Sequence, residues 1–201
     1  MAVLVDSYSE SNYSGSDWWF GETTQVAQSF NASIARNINS AKFYLRKVGT
    51  PTGNIVVKLY AHSGTYGTSS VPTGAALATS DAIVASSLST SYALVPFTFS
   101  TPYSLVLNTK YVISCVYENG TETDLVQLGD DGDSPSHGGN ECYYDGSWAY
   151  DAGYDVPFYV YVDDAAGGPA NLKTWNGLAK ASIKTINGLA IGSVKTINGL
   201  V

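Results

Sequence analysis

The residues able to do chemistry are few and grouped. The densest set of oxygen donors is Gly129-Asp130-Asp131-Gly132-Asp133, where Asp130, Asp131 and Asp133 offer three carboxylates within one short stretch. Hard cations such as Ca²⁺ bind through several such oxygens. The stretch departs from the helix-loop-helix calcium pattern, which needs wider ligand spacing and a distal Glu; a solvated acidic turn is the competing reading. Asp151 and Asp155 are weaker additions to the same set. A second group is aromatic: Trp18 and Trp19 beside Phe20, then Tyr144, Trp148 and Tyr150 in a Gly/Asp-rich stretch with Tyr143 and Tyr154. Such rings offer an apolar face to a sugar, and nearby Asp or Asn hydrogen-bonds its hydroxyls. The same residues serve equally well in a core or an oligomer interface. Cys115 and Cys142 allow either one disulfide between neighbouring strands or two buried thiols acting as small hydrophobes.

Little else suggests a reaction. His62 and His137 stand in Gly/Ser-rich segments with no Cys or acid at metal-ligand spacing. No Gly-x-Ser-x-Gly, phosphate-loop or His-Glu-x-x-His pattern occurs. Nothing selects a pair of carboxylates as acid and base. The expectation is a protein without catalytic activity and without an obligatory cofactor, Ca²⁺ being the one metal considered.

The elements that would position these groups read as strands. Asn54–Tyr60 is rich in β-branched residues and follows the turn signal Pro51-Thr52-Gly53. Ala41–Val48 alternates, with Phe43 and Leu45 on one face and Tyr44 on the other. Tyr92–Ser100, Lys110–Tyr117 and Val156–Val162 complete the strong runs, and in the last Phe158 and Val160 oppose Tyr159 and Tyr161. Weaker candidates are Ala2–Asp6, Thr24–Phe30, Ile34–Ile38, Ala76–Asp81, Leu125–Leu128 and Glu141–Tyr144. Short strands separated by polar turns predict an all-β body, a β-sandwich of jelly-roll type over residues 1–163.

Charge divides the chain. Its 201 residues carry a net −7, with only 13% charged. Residues 1–171 hold all 17 acids and six of the ten bases, a net of −11; residues 172–201 hold four lysines and no acid. An acidic body argues against nucleic acid, which needs clustered Lys and Arg. No run approaches the ~18 apolar residues of a membrane span. The first twenty residues lack the basic and apolar segments of an ordinary signal peptide.

Residues 164–171 read as a small-residue linker, and beyond them an 11-residue unit recurs: LKTWNGLAKAS, IKTINGLAIGS and the partial VKTINGLV. Each copy carries Asn-Gly, the preferred pair for a two-residue hairpin turn, which predicts reversals at Asn176-Gly177, Asn187-Gly188 and Asn198-Gly199. Isolated hairpins are marginal in water. The tail therefore needs a surface, presented by Leu172, Trp175, Leu178, Ile183, Ile186, Leu189, Ile191, Val194, Ile197 and Leu200, with Lys173, Lys184 and Lys195 as a basic ladder.

Two resemblances give these features a setting. Ala27–Phe30, the run Phe43–Asn54, Asp145–Trp148 and Asp155–Tyr161 resemble the bacterial and phage β-sandwich domains of choice-of-anchor R type, over most of residues 24–162. The Lys-Thr-Ile/Trp-Asn-Gly-Leu units resemble repeats at the C-termini of phage and metagenomic virion proteins. Together they imply a structural protein of a bacteriophage-like virion: a decoration, head-fibre or tail-associated protein made in the host cytoplasm. Its partners would be itself, as a trimer on likeness to fibrous virion proteins, and other virion proteins, with neither nucleic acid nor membrane. The alternative is a carbohydrate-binding or adhesive module that meets host surface glycans through Trp18, Trp19, Tyr144, Trp148 and Tyr150.

Overall fold

The computed structural model describes residues 2–21 and 23–163, with four two-residue strands in the tail; for Ser16, Asp17, Trp19 and the tail strand residues other than Thr185 only the backbone is described. The chain divides into two units, Leu4–Val162 and a second comprising Met1–Val3 with Asp163–Val201.

The larger unit is an all-β sandwich of two antiparallel sheets. Its strands are β1 (Val3–Tyr8), β2 (Ser16–Trp19), β3 (Gln25–Asn31), β4 (Ile38–Val48), β5 (Asn54–Ser63), β6 (Val71–Thr79), β7 (Ile83–Val84), β8 (Ala93–Thr98), β9 (Lys110–Val116), β10 (Leu125–Asp130), β11 (Glu141–Tyr144), β12 (Trp148–Asp151) and β13 (Phe158–Val162). One sheet runs β1-β13-β4-β10-β2 with β8 on the other edge of β4; the second runs β12-β11-β3-β9-β5-β6, with β7 also on β5. Consecutive strands repeatedly change sheet, as a jelly-roll-like sandwich requires.

Alternation explains the core. Phe43 and Leu45 of β4, Phe97 of β8, Leu128 of β10 and Phe158 of β13 project from the first sheet. Val26 and Phe30 of β3, Val57 and Leu59 of β5, and Ile113 and Cys115 of β9 meet them from the second; all are fully buried. Burial of that apolar surface, at about 25 cal/mol per Å², is the main favourable term.

Two features shape the candidate sites. Along one edge of β4, β13 pairs with residues 38–43 and β10 with residues 45–48. These two strands separate where Asp131 and Asp155 form an isolated bridge. The second sheet also curls, so that its edge strands β6 and β12 come into contact.

The strong sequence runs all become strands, and Glu141–Tyr144 matches β11. Ile34–Ile38 does not form a strand of its own: Ile38 opens β4, and Asn37 makes only a bridge to Ser104. The run read as Ala76–Asp81 starts earlier, at Val71. Strands β2, β7 and β12 were not anticipated; each is only two to four residues long. Among the described residues no helix is long and apolar enough to cross a membrane.

In the tail, β14 (Thr174–Trp175) pairs antiparallel with β15 (Leu178–Ala179), and β16 (Thr185–Ile186) with β17 (Leu189–Ala190). Trp175 stands opposite Leu178 and Ile186 opposite Leu189, the register that two-residue connections at Asn176-Gly177 and Asn187-Gly188 demand. The expected reversal at Asn198-Gly199 lies outside the described residues, as do Leu172, Ile183, Ile191, Val194, Ile197, Leu200 and the three ladder lysines.

Candidate functional site

The acidic stretch is not a cation loop. Asp130 closes β10, following Leu128 on the inward face, and is 3% exposed. Asp131 is as deeply buried, but its carboxylate is already used: it accepts from the Tyr8 hydroxyl at 2.6 Å and from the backbone N–H groups of Asp133 and Ser134. Asp133 lies exposed. Among the described residues no three acids, histidines or cysteines converge in a metal-binding group. Ca²⁺ at Asp130, Asp131 and Asp133 is therefore corrected: a strand end and an acceptor for turn N–H groups divide the carboxylates that sequence proximity seemed to unite.

Where β10 and β13 part, these groups belong to an interior polar network. Asp131 and Asp155 exchange backbone hydrogen bonds. Gln28 of β3 donates to Asp155 Oδ1 at 2.8 Å and accepts from the Val156 N–H, tying the two sheets together. His137, N–H bonded to Asp155 Oδ2 at 2.7 Å, accepts at Nδ1 from the Gly139 N–H, which assigns the ring proton to Nε2, 3.4 Å from Asp6. Burial pushes Asp131 upward, but its hydrogen bonds from Tyr8, Ser134 and Asp133 outweigh this and hold it below 3.8. Burial instead dominates at Asp155 and raises it, despite the donors His137 and Gln28.

Glu141 occupies a harsher position. It lies on the inward side of β11, opposite Gln28, with no exposed surface. One oxygen accepts from Trp18 Nε1 at 2.6 Å; the other has no hydrogen-bond partner among the described residues. Burial first, then the Asp130 charge, hold this carboxyl well above the usual 4.5.

The aromatic set divides between faces. Trp18 turns inward: its indole closes over Glu141 and packs on Tyr143, ring centroids 4.7 Å apart. Tyr144 and Trp148 lie on the opposite, concave side of the second sheet, centroids 5.4 Å apart, with Trp148 also edge-on to Tyr60. Tyr150 is 54% exposed on edge strand β12. Trp18 does not share one glycan surface with Tyr144, Trp148 and Tyr150, since it turns inward on β2 whereas they lie on β11 and β12 of the other sheet. The Trp19 side chain lies outside the described residues.

The cysteines divide in the same way. Cys115 faces the core opposite Val57, whereas Cys142 faces the trough beside Ala27, Tyr60 and Val112. Both are buried free thiols, so no disulfide joins them. Burial raises the pKa of each.

The trough has a closed end and an open end. Trp148 and Val71 cover its centre against Ala27, Tyr60, Val112 and Cys142. At one end Asn140 takes the Ser70 N–H and bonds Ser29 through its own N–H, sealing the loop before β6 onto β3. At the other, alternation brings Asn54, Val56 and Lys58 of β5 beside Val116 of β9, followed by Glu118 and Asn119. These six residues line a cavity of about 220 Å³.

The first sheet carries a tyrosine-lined outer face that sequence reasoning missed as a unit. Tyr13, Tyr44 and Tyr92 pack together, Arg46 lies over Tyr92, and Tyr159 stacks on Tyr161 beneath Lys42. The alternation of Tyr44, Tyr159 and Tyr161 away from the core was the available signal; Tyr13 and Tyr92 join from loops.

No protein-family model matches this sequence, and no curated protein matches it.

Proposed function

We propose that the chain is a non-catalytic structural protein of a bacteriophage-like particle, with a sandwich for display and a repeat tail for attachment or oligomerisation. The observation that carries this reading is the identical pairing of successive repeats, Thr174 with Ala179 and Thr185 with Ala190. A two-stranded ribbon with two residues per strand buries too little to hold itself. Repetition of so small a unit makes sense where each copy gains burial from a shared surface. The acid-free charge of residues 172–201 complements the −11 of residues 1–171, so a neighbouring copy is a suitable partner. A virion setting is supported by the resemblance of both segments to phage-associated sequences, and a homotrimer is the first assembly to test.

Size-exclusion chromatography with light scattering on the full chain and on residues 1–165 tests the reading. A multimeric full chain and a monomeric truncation are expected. Two monomers of matching behaviour, with a protease-labile tail in the longer one, would remove the assembly role.

A further inference from the structure

We infer that the open end of the concave trough is a binding site for one residue of a neutral glycan, held by Asn54, Lys58, Glu118 and Asn119 over a floor of Val56 and Val116. The inference is separate from the tail's role in assembly.

The lining has the mixed chemistry that a sugar requires. A hexose presents hydroxyls that both donate and accept, on a ring with apolar C–H faces. Asn54 and Asn119 each offer an amide that donates and accepts, Lys58 donates, and Glu118 accepts. Val56 and Val116, cross-strand partners, supply the apolar floor. The cavity, about 220 Å³, is smaller than the ~300–1,000 Å³ of sites that enclose a drug-sized molecule. It fits a single ring, with the rest of an oligosaccharide left in solvent.

The site is also held in shape from beneath. Gln25 accepts from the Tyr60 hydroxyl at 3.2 Å and lies 3.4 Å from that of Ser114, fixing the trough wall next to Lys58. Glu118 contributes to raising Tyr60, behind the larger effect of burial, which places its charge within reach of the aromatic centre. Asn119 rests against Gly53, whose φ is +78°; a Cβ there would come within 2.6 Å of Asn119 Oδ1. That turn is braced by the Tyr117 hydroxyl, which donates to Thr52 O at 2.8 Å. Preorganisation of this kind lowers the ordering cost of binding a weakly held ligand.

Charge selects among glycans. The −11 of residues 1–171 repels polyanions, and the one lysine of the small cavity, Lys58, shares its lining with Glu118. A sialylated or uronate-bearing ring is thereby disfavoured against a neutral one.

The test is titration of the full chain with glucose, galactose, N-acetylglucosamine, maltose and lactose, with 3′-sialyllactose as the anionic comparator. Saturation-transfer NMR and tryptophan fluorescence report binding. At least one neutral saccharide should saturate, and Lys58→Met and Asn119→Ala should each weaken it tenfold or more. Thr98→Ala, on β8 of the other sheet, should leave it unchanged. Thermal melts identify a variant that has lost its fold; Lys58→Met is the decisive one if Asn119→Ala disturbs the Gly53 turn. The inference is overturned if no neutral saccharide saturates, if a folded Lys58→Met binds like the parent, or if sialyllactose binds best.

Discussion

Asp131 and Glu141 are both buried at the same end of the sandwich, and the fold treats them in opposite ways. Asp131 sits where β10 leaves β4, and the departing loop turns its N–H groups back onto the carboxylate while Tyr8 caps it from β1. Glu141 is the first residue of β11, paired with Gln28 of β3 and Asp151 of β12, and among the described residues one indole N–H is all its carboxyl receives. Burial is nearly equal, at 1% and 0% exposure; the supply of donors differs. A loop can aim free N–H groups at a charge, whereas a residue paired with a strand on each side finds few, so one acid is held below its ordinary value and the other well above it.

Removing the well-satisfied acid should hurt most. Asp131→Ala leaves the Tyr8 hydroxyl and two loop N–H groups without their acceptor, an expected loss of about 3–5 kcal/mol in urea unfolding of the full chain. Gly139→Ala should come next, at about 1–3 kcal/mol, because a Cβ there would collide with the Ser29 carbonyl. Its position two residues from His137 makes it a test of the loop's part in the comparison; a neutral effect would show that the loop shifts freely. Trp18→Phe deletes the one donor that reaches the Glu141 carboxyl among the described residues and should cost about 1–2 kcal/mol, a penalty that shrinks when Glu141 is also replaced by Leu.

Glu141→Gln should be nearly neutral at pH 7 or stabilise the fold, and its clearest signature is in pH dependence. Glu141 is raised, so its contribution is full below about 4.5 and is lost as pH rises through its folded-state value. Asp131 is lowered, so its contribution is present above about 3.8 and is lost as pH falls through its folded-state value. Unfolding midpoints measured across pH should therefore lose their alkaline decline in Glu141→Gln and their acid decline in Asp131→Asn. Matching profiles in the two variants would dissolve the contrast.

The architecture was legible because strand alternation is strong: Phe158 and Val160 against Tyr159 and Tyr161 already state which side is core. The tail pairing was legible because Asn-Gly carries its own backbone preference. The interior acids were not. Asp130, Asp131 and Asp133 look like one ligand set in sequence, but a strand end and a turn send their carboxylates to different surroundings. Trp18 looked like surface because Ser16–Trp19 has no apolar alternation to mark it; its inward turn depends on β2 pairing with β10, far away in the chain. The trough cavity draws Asn54 and Lys58 from β5 and Glu118 from just beyond β9, and no local pattern reports that β5 and β9 adjoin.

The repeat pairing has a consequence for how such a chain changes over time. Each described ladder closes within one 11-residue unit, Thr174 to Ala179 and Thr185 to Ala190. No described strand in the tail takes its partner from the neighbouring unit. Slippage or unequal recombination can thus add or drop a whole unit without disturbing the pairing inside the others. Near-identical copies are the sequences in which such events are frequent. Tail length becomes a quantity that lineages can vary in fixed steps, independently of the body that the tail serves.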